Sequence, residues 1–370
     1  MLLPQLLTAL RLAAPETLAE PWDKVGLQVG RLEGRRPIKR ALLTIDLTEA
    51  VVAEAKKEGC QLIVAYHPPI FAPLTRLTDG AWKERALLTC AEAGIAVYSP
   101  HTALDAVRGG ITDALAAALG AGVCVPIQPR TAKRDEYKIV VFVPQAQTMA
   151  VRQAMAKAGA GGIGNYRECS FESPGTGGFL PVDGAKPAIG RVGSRETVQE
   201  TKLEMLCPGN ALAHVLAALR AAHPYEEPAF DLFHLEPEPT PLTEAHGAGR
   251  LLTLNEPVSA QTLAARLKKV TKVKTLWQAL PAKAKPIRTL AVCPGSGGSL
   301  FEKGPSADAY VTGEMSHHGA LDLRERGSVV LLAGHTQTER PFLPHIRRMY
   351  EKAGAKIEWK IARADTPALG

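Results

Sequence analysis

The chain of 370 residues is 46% hydrophobic and 22% charged, with a formal net charge of +7 at pH 7. Its length allows roughly two to three domains, its composition excludes an intrinsically disordered polypeptide, and no run approaches the roughly 20 apolar residues that span a bilayer. The basic clusters Arg35-Arg36, Lys39-Arg40, Lys268-Lys269 and Arg347-Arg348 are short, and aromatic residues make up only 5%. That argues against a nucleic-acid stacking surface and leaves a small anionic ligand as the partner the charge suits.

In the opening segment, Leu3, Leu6, Leu7 and Leu10 follow helical spacing, while Pro4 and Arg11 break the apolar run, so an amphipathic helix is expected rather than a signal peptide. Then come KRALLTIDL (strand), TEAVVAEAKKEG (helix), CQLIVAYHP (strand), AWKERALLTCAEAG (helix) and IAVYSPH (strand), with Gly59 and Gly94 at helix ends. This alternation predicts an α/β domain with a parallel or mixed sheet. The prolines and charges of VPIQPRTAKRDE mark a linker.

A second block starts at YKIVVFVP and continues through a helix (AQTMAVRQAMAKAG), a strand (NYRECSFES) and the glycine-rich stretch PGTGGFLPVDGAKPAIG. Strand ETKLEMLCP, helix ALAHVLAALRAA and strand EPAFDLFHLE complete a split βαβ order, a small α+β domain. EPEPTPLTE is the next linker. The third block returns to strand and helix alternation through GRLLTL, SAQTLAARLKKVTK, IRTLAVCPG, ADAYVTG, HHGALDLRERG, SVVLLAGH and a C-terminal helix. The expected divisions are 1–128, 135–236 and 245–370. The outer two are either separate domains or halves of one sheet. The six cysteines form no CxxC pair, so a reducing cytoplasm is expected, with Cys60 and Cys90 as core residues.

The chemistry-bearing residues cluster just past strand ends, where open α/β sheets bind ligands. His67 follows QLIVAY and is held out by Pro68 and Pro69. His101 and Asp105 follow IAVYS; His335 and Glu339 follow SVVLLA, with Thr338 as a candidate helix N-cap. Any one histidine here also suits a hydrogen-bonded loop role, but three strand ends with the same chemistry favour a divalent cation such as zinc, manganese, iron or cobalt. Glu314 and His318 are candidates for the same crevice, and His317 for solvent. Gly295, Ser296 and Gly297 form a turn whose N–H groups are candidates for cradling a phosphate. His223 with Glu226 and Glu227, in HPYEEP, reads as a structural turn.

The order of VGLQVG, DLTEAVVAEAKKEG, LIVAYHPPIF, SPHTALDA, CPGSGGSL, ADAYVTGEMSHHGALDLRERG and AGHTQTE resembles the Nif-three-like dinuclear-metal-centre family. Bacterial members of that family are called GTP cyclohydrolase 1 type 2 homologues. AAHPYEEPAFDLF resembles the PII/CutA-like insertion of its longer members. The resemblance implies a mixed-sheet α/β core built from the N- and C-terminal segments, interrupted by the small α+β domain. It also implies two metals held by a His-His pair, the Asp of HTxxDA, and the His and Glu of GHxxTE. Matched residue by residue, these are His67, Asp105, His335 and Glu339. Tyr66 stands where the family has its first His. With a phenol pKa near 10, it is expected to donate a hydrogen bond instead of ligating, leaving one or two ions per subunit.

Two functions follow from the resemblance. One is a metal-dependent hydrolase of a nucleotide, with Glu339 and His101 as catalytic residues, opening GTP at C8 to give formate and dihydroneopterin triphosphate. The other is a non-catalytic, metal-stabilised ring, a homohexamer whose inserted domain senses a ligand or contacts a protein partner. DNA binding through such a ring ranks last.

Overall fold

Periodicity decides the first element. Leu3, Leu6, Leu7 and Leu10 are buried on one face of helix Leu3–Ala13, whose first turn accommodates Pro4. The computed structural model describes residues 1–32, 36–130, 136–164, 166–236 and 244–367, so Arg35 and parts of both expected linkers lie outside the described residues. The chain divides into two units, one made of Met1–Ala132 with Pro239–Gly370, the other of Lys133–Glu238.

The first unit contains two mixed sheets. In one, the parallel strands Glu358–Ile361, Arg40–Thr44, Leu62–Ala65 and Ala96–Ser99 lie side by side, with Gly26–Val29 antiparallel at the edge. Every residue of Leu62–Ala65 and Ala96–Ser99 is buried, as a strand covered on both faces requires. The other sheet runs Trp277–Ala279, Val329–Leu332, Ala309–Thr312, Ile287–Val292, Arg250–Val258 and Gly122–Val125, its central three strands parallel. The terminal segments therefore build two sheets, not halves of one, and they exchange edge strands. Gly122–Val125 of the first segment joins the second sheet, and Glu358–Ile361 of the last segment joins the first.

One core serves both sheets. Leu43, Val64 and Tyr98 share it with Leu290, Val311 and Leu331, and helices Ile111–Leu119, Ala260–Thr271 and Leu343–Lys352 contribute to it. The outer face of the first sheet is closed by helices Glu49–Lys57 and Trp82–Glu92. Both end as expected, with Gly59 and Gly94 at φ 65° and the following N–H bonded back into the last turn. Cys60 and Cys90 are buried, and all six cysteines are free thiols.

The second unit is an antiparallel sheet in the order Phe230–His234, Glu136–Pro144, Glu196–Pro208, Phe171–Phe179. Helices Thr148–Lys157 and Leu212–Ala222 pack on it through Val151, Met155, Val215 and Leu219. The chain order is βαββαβ. Part of the glycine-rich stretch is strand: Pro174 to Phe179 pair with Thr201 to Glu196. Among the described residues no helix is long and apolar enough to cross a membrane.

Candidate metal centre

Strand ends deliver the site residues. After Leu62–Ala65, the N–H groups of Tyr66 and His67 extend the pairing to the carbonyls of Thr44 and Ile45. Pro68 and Pro69 then stop the strand. After Val329–Leu332, Gly334 turns at φ 90°, a conformation disfavoured for residues with a Cβ, and His335 follows. His67, His335 and Glu339 each place a ligand atom within 4.8 Å of the others. The Nε2 atoms of His67 and His335 lie 3.4 and 3.3 Å from the two oxygens of Glu339, whose side chain is 3% exposed.

These residues fit a divalent ion. His67 Nε2 and Glu339 Oε2 are buried and face each other at 3.4 Å with no other partner and no well-formed hydrogen bond, a state an inserted ion would improve. Room is kept by Gly295, at φ 64°, where a Cβ would sit 2.5 Å from Glu339 Oε1 and 3.1 Å from His335 Nε2. Imidazole nitrogens with a carboxylate are the donor set of zinc and its neighbours.

Each histidine is fixed through its other nitrogen. His67 Nδ1 lies 3.0 Å from Asp46 Oδ1, His335 Nδ1 lies 3.0 Å from Glu314 Oε1, and His101 Nδ1 lies 2.8 Å from Asp23 Oδ1. A carboxylate on Nδ1 selects the tautomer and leaves Nε2 for the site. Burial opposes the His67 imidazolium, but Asp46 and Glu339 outweigh it and hold its pKa up at about 10. His335 is raised to about 9, first by Glu339, against burial. Burial disfavours the Glu339 carboxylate, yet both histidines keep its pKa below the usual value.

Asp105 stands outside the three-residue set. Its Oδ1 accepts a hydrogen bond from Tyr66 at 2.5 Å, so Tyr66 donates here as its chemistry suggests. Burial raises the Asp105 carboxyl to about 6 despite that bond. His101 lies beside the centre, its ring centroid 5.3 Å from that of His67. It sits at φ 32°, a strained backbone for a residue with a Cβ. That strain is opposed by Asp23, which also accepts from the N–H and Oγ1 of Thr102. Glu314 reaches the centre through His335, whereas His317 and His318 are exposed.

Two expectations are corrected. The N–H groups of Gly295 and Gly297 donate to Thr338 Oγ1 and Thr312 Oγ1, so neither is free for a phosphate. Ser296 bridges to Glu314, and the turn's visible role is to clear space for the ligands. Thr338 is no helix N-cap: 3-10 turns Thr336–Thr338 and Arg340–Phe342 intervene before helix Leu343–Lys352, and Glu339 lies between them. The orienting carboxylates Asp23 and Asp46 escape a reading built on histidines. Asp46 carries the same signal, a polar residue just past strand Arg40–Thr44. Asp23 precedes strand Gly26–Val29 and carries none.

A mixed α/β fold with imidazoles and a buried carboxylate gathered at strand ends defines an α/β protein with a candidate divalent-metal centre. The chain belongs to the Duf34/NIF3 (NGG1p interacting factor 3) family, whose profile matches residues 1–367. It is similar to the GTP cyclohydrolase 1 type 2 homolog of Halalkalibacterium halodurans, 37% identical over 324 residues, covering 87% of this chain and 85% of that one. It is also similar to NIF3-like protein 1 of Rattus norvegicus, 35% identical over 368 residues, covering 97% and 89%. Among solved structures, a Bacillus cereus protein related to NIF3 matches with a TM-score of 0.74 and 31% identity, over 99% of this chain and 98% of that one.

Proposed function

We propose that the protein is a divalent-metal-dependent hydrolase of a nucleotide or another small anionic substrate. His67, His335 and Glu339 hold one ion, and Asp105, behind Tyr66, contributes to a second position. The observation that carries this reading is the meeting of His67 with His335 and Glu339, from opposite ends of the chain, around buried atoms that lack a well-formed hydrogen bond. A bound divalent ion would act as a Lewis acid and lower the pKa of water toward 7.

The protein's own groups take the remaining tasks. A cleft of about 1470 Å³ opens beside His67 and His335. Lys272, Lys274 and Arg324 on its wall suit phosphate oxygens, and Trp277, 80% exposed, offers a base a stacking surface. His101, with Nδ1 fixed on Asp23, carries a proton on Nε2 to and from the reacting group. The names of the bacterial relatives and the basic cleft support a GTP cyclohydrolase 1 type 2-like reaction. In it, GTP is opened hydrolytically at C8, formate leaves and dihydroneopterin triphosphate forms.

The same reading assembles the chain as a cytoplasmic homohexamer. It treats the βαββαβ unit as a PII/CutA-like insertion, residues 135–236, between core segments 1–128 and 245–370. The test is to load the protein with a panel of divalent metals, add GTP and look for the fluorescent oxidised pterin. Product is expected from the wild type and not from Glu339→Gln. No product with any metal would rule out the cyclohydrolase and favour a metal-stabilised binding or regulatory ring.

A further inference from the structure

Two motifs of the second unit have no part in the metal centre: the glycine-rich PGTGGFLPVDGAKPAIG and the turn HPYEEP. The fold brings them together around a cavity of about 280 Å³, near the small end of ligand-sized pockets. Phe179 and Tyr225 face each other edge to face across 5.7 Å on its wall. The connection 180–195 supplies Pro181 and Ala188 to the same wall. It is anchored by the Lys186 N–H donating to Glu226 Oε1 at 2.7 Å and by the Gly193 N–H donating to the Pro181 carbonyl at 2.8 Å.

Glu200 gives this cavity its chemistry. The residue is 8% exposed and lines the pocket, and its Oε1 accepts from the Tyr225 hydroxyl at 3.0 Å. Among the described residues no lysine or arginine pairs with it, and no hydrogen bond reaches Oε2. Its imidazole neighbour His223 gives no compensating charge. Burial lowers the pKa of that ring, and both ring nitrogens are engaged, by the Phe142 carbonyl and the Tyr225 N–H. Burial makes an uncompensated charge costly, and Oε2, which is not among the fully buried atoms that lack a partner, is the oxygen left open to a cation. The sequence nonetheless keeps a glycine against it: a Cβ on Gly177 would fall 2.0 Å from Glu200 Oε2. That close approach explains a glycine within a paired strand, where it weakens the ladder.

We infer that this pocket is a binding site for a small organic cation, an ammonium seated on the Glu200 carboxylate with its apolar body packed against the Phe179–Tyr225 pair. Aromatic faces attract such cations, and Glu226 and Glu227 add negative charge at the rim. A bare metal ion does not fit. The one convergent set of three metal-ligand side chains among the described residues is His67, His335 and Glu339. The inference is independent of the hydrolase reading, because pocket and metal centre share no residue.

The probe is benzylamine, with benzyl alcohol as its neutral counterpart, titrated calorimetrically into the full-length protein at neutral pH. Saturable binding of benzylamine is expected, at least about tenfold tighter than the alcohol. Glu200→Gln should bring the amine down to the alcohol's affinity while leaving metal content unchanged. Should Glu200→Gln misfold, Gly177→Ala, which forces Oε2 aside, is expected to cause the same selective loss. Equal affinities for amine and alcohol would overturn the proposal. So would amine binding that survives both substitutions, or no binding of the amine at all.

Discussion

A methyl group on Gly295 would stand 2.5 Å from Glu339 Oε1 and 3.1 Å from His335 Nε2, on a backbone at φ 64°. Gly295→Ala is therefore expected to displace two ligand side chains and weaken metal binding, read by competition with a chromophoric chelator. Asp46→Asn removes the charge that holds His67 Nδ1 without touching a ligand atom. Orienting carboxylates of this kind influence metal affinity by roughly 10–100-fold, and a loss in that range is expected, with the folding transition unchanged. Proton linkage has a definite sign here. The metal-free site holds His67 and His335 protonated, with pKa values about 10 and about 9, so an ion must displace both protons. Metal affinity should rise with pH across the neutral range and fall on acidification. A pH-independent affinity between about pH 6 and 8 would contradict the assignment of these two side chains as ligands.

At the scale of elements, Asp308 shows how one carboxylate sets a register. Its Oδ2 accepts from the N–H groups of Arg288 and Thr289 and from Thr289 Oγ1, at the start of the parallel pairing Leu290 to Ala309. Partial burial opposes its ionisation, but these bonds outweigh it and lower its pKa. A lowered carboxylate pKa contributes stability fully above the unfolded value of about 4, and that stability disappears as pH falls through the folded value. The melting-temperature gap between wild type and Asp308→Ala should thus be largest near neutrality and shrink below about pH 4. Elements with strong periodicity were legible from sequence: helix Leu3–Ala13, the apolar strands Leu62–Ala65 and Ala96–Ser99, and the glycine-terminated helices Glu49–Lys57 and Trp82–Glu92 that precede them. Strand Phe171–Phe179 was legible only at its start, in NYRECSFES, because Gly175, Gly177 and Gly178 carry no strand signal in its second half. Strand Glu358–Ile361 was missed because its pairing partner, Arg40–Thr44, lies at the other end of the chain. Of the site, His67, His335 and Glu339 were legible because strand ends are where ligands bind. The orienting roles of Asp23 and Asp46 depend on distances that only the fold supplies.

For the molecule as a whole, the terminal segments of the first unit are tied by more than exchanged strands. Arg250, 1% exposed on a strand of the last segment, makes a two-pronged pair with Asp113 of helix Ile111–Leu119 at 2.6 and 2.8 Å. Its remaining N–H groups donate to the carbonyls of Ala106, Val107, Gly247 and Gly249. Arg250→Ala would strand four acceptors and a carboxylate. Breaking a buried pair from one side costs about 3–5 kcal/mol. Asp113 keeps some contact with water, so a loss near the lower end, about 3 kcal/mol, is expected in denaturant unfolding. The same joining of distant segments makes the candidate metal centre, because His67 comes from the first segment and His335 with Glu339 from the last. That claim is tested most directly by elemental analysis of protein purified without chelator, comparing wild type with Glu339→Gln. At least one divalent ion per chain is predicted in the wild type, and none in the variant. A metal-free wild type, or a variant that keeps its full complement, would contradict the account.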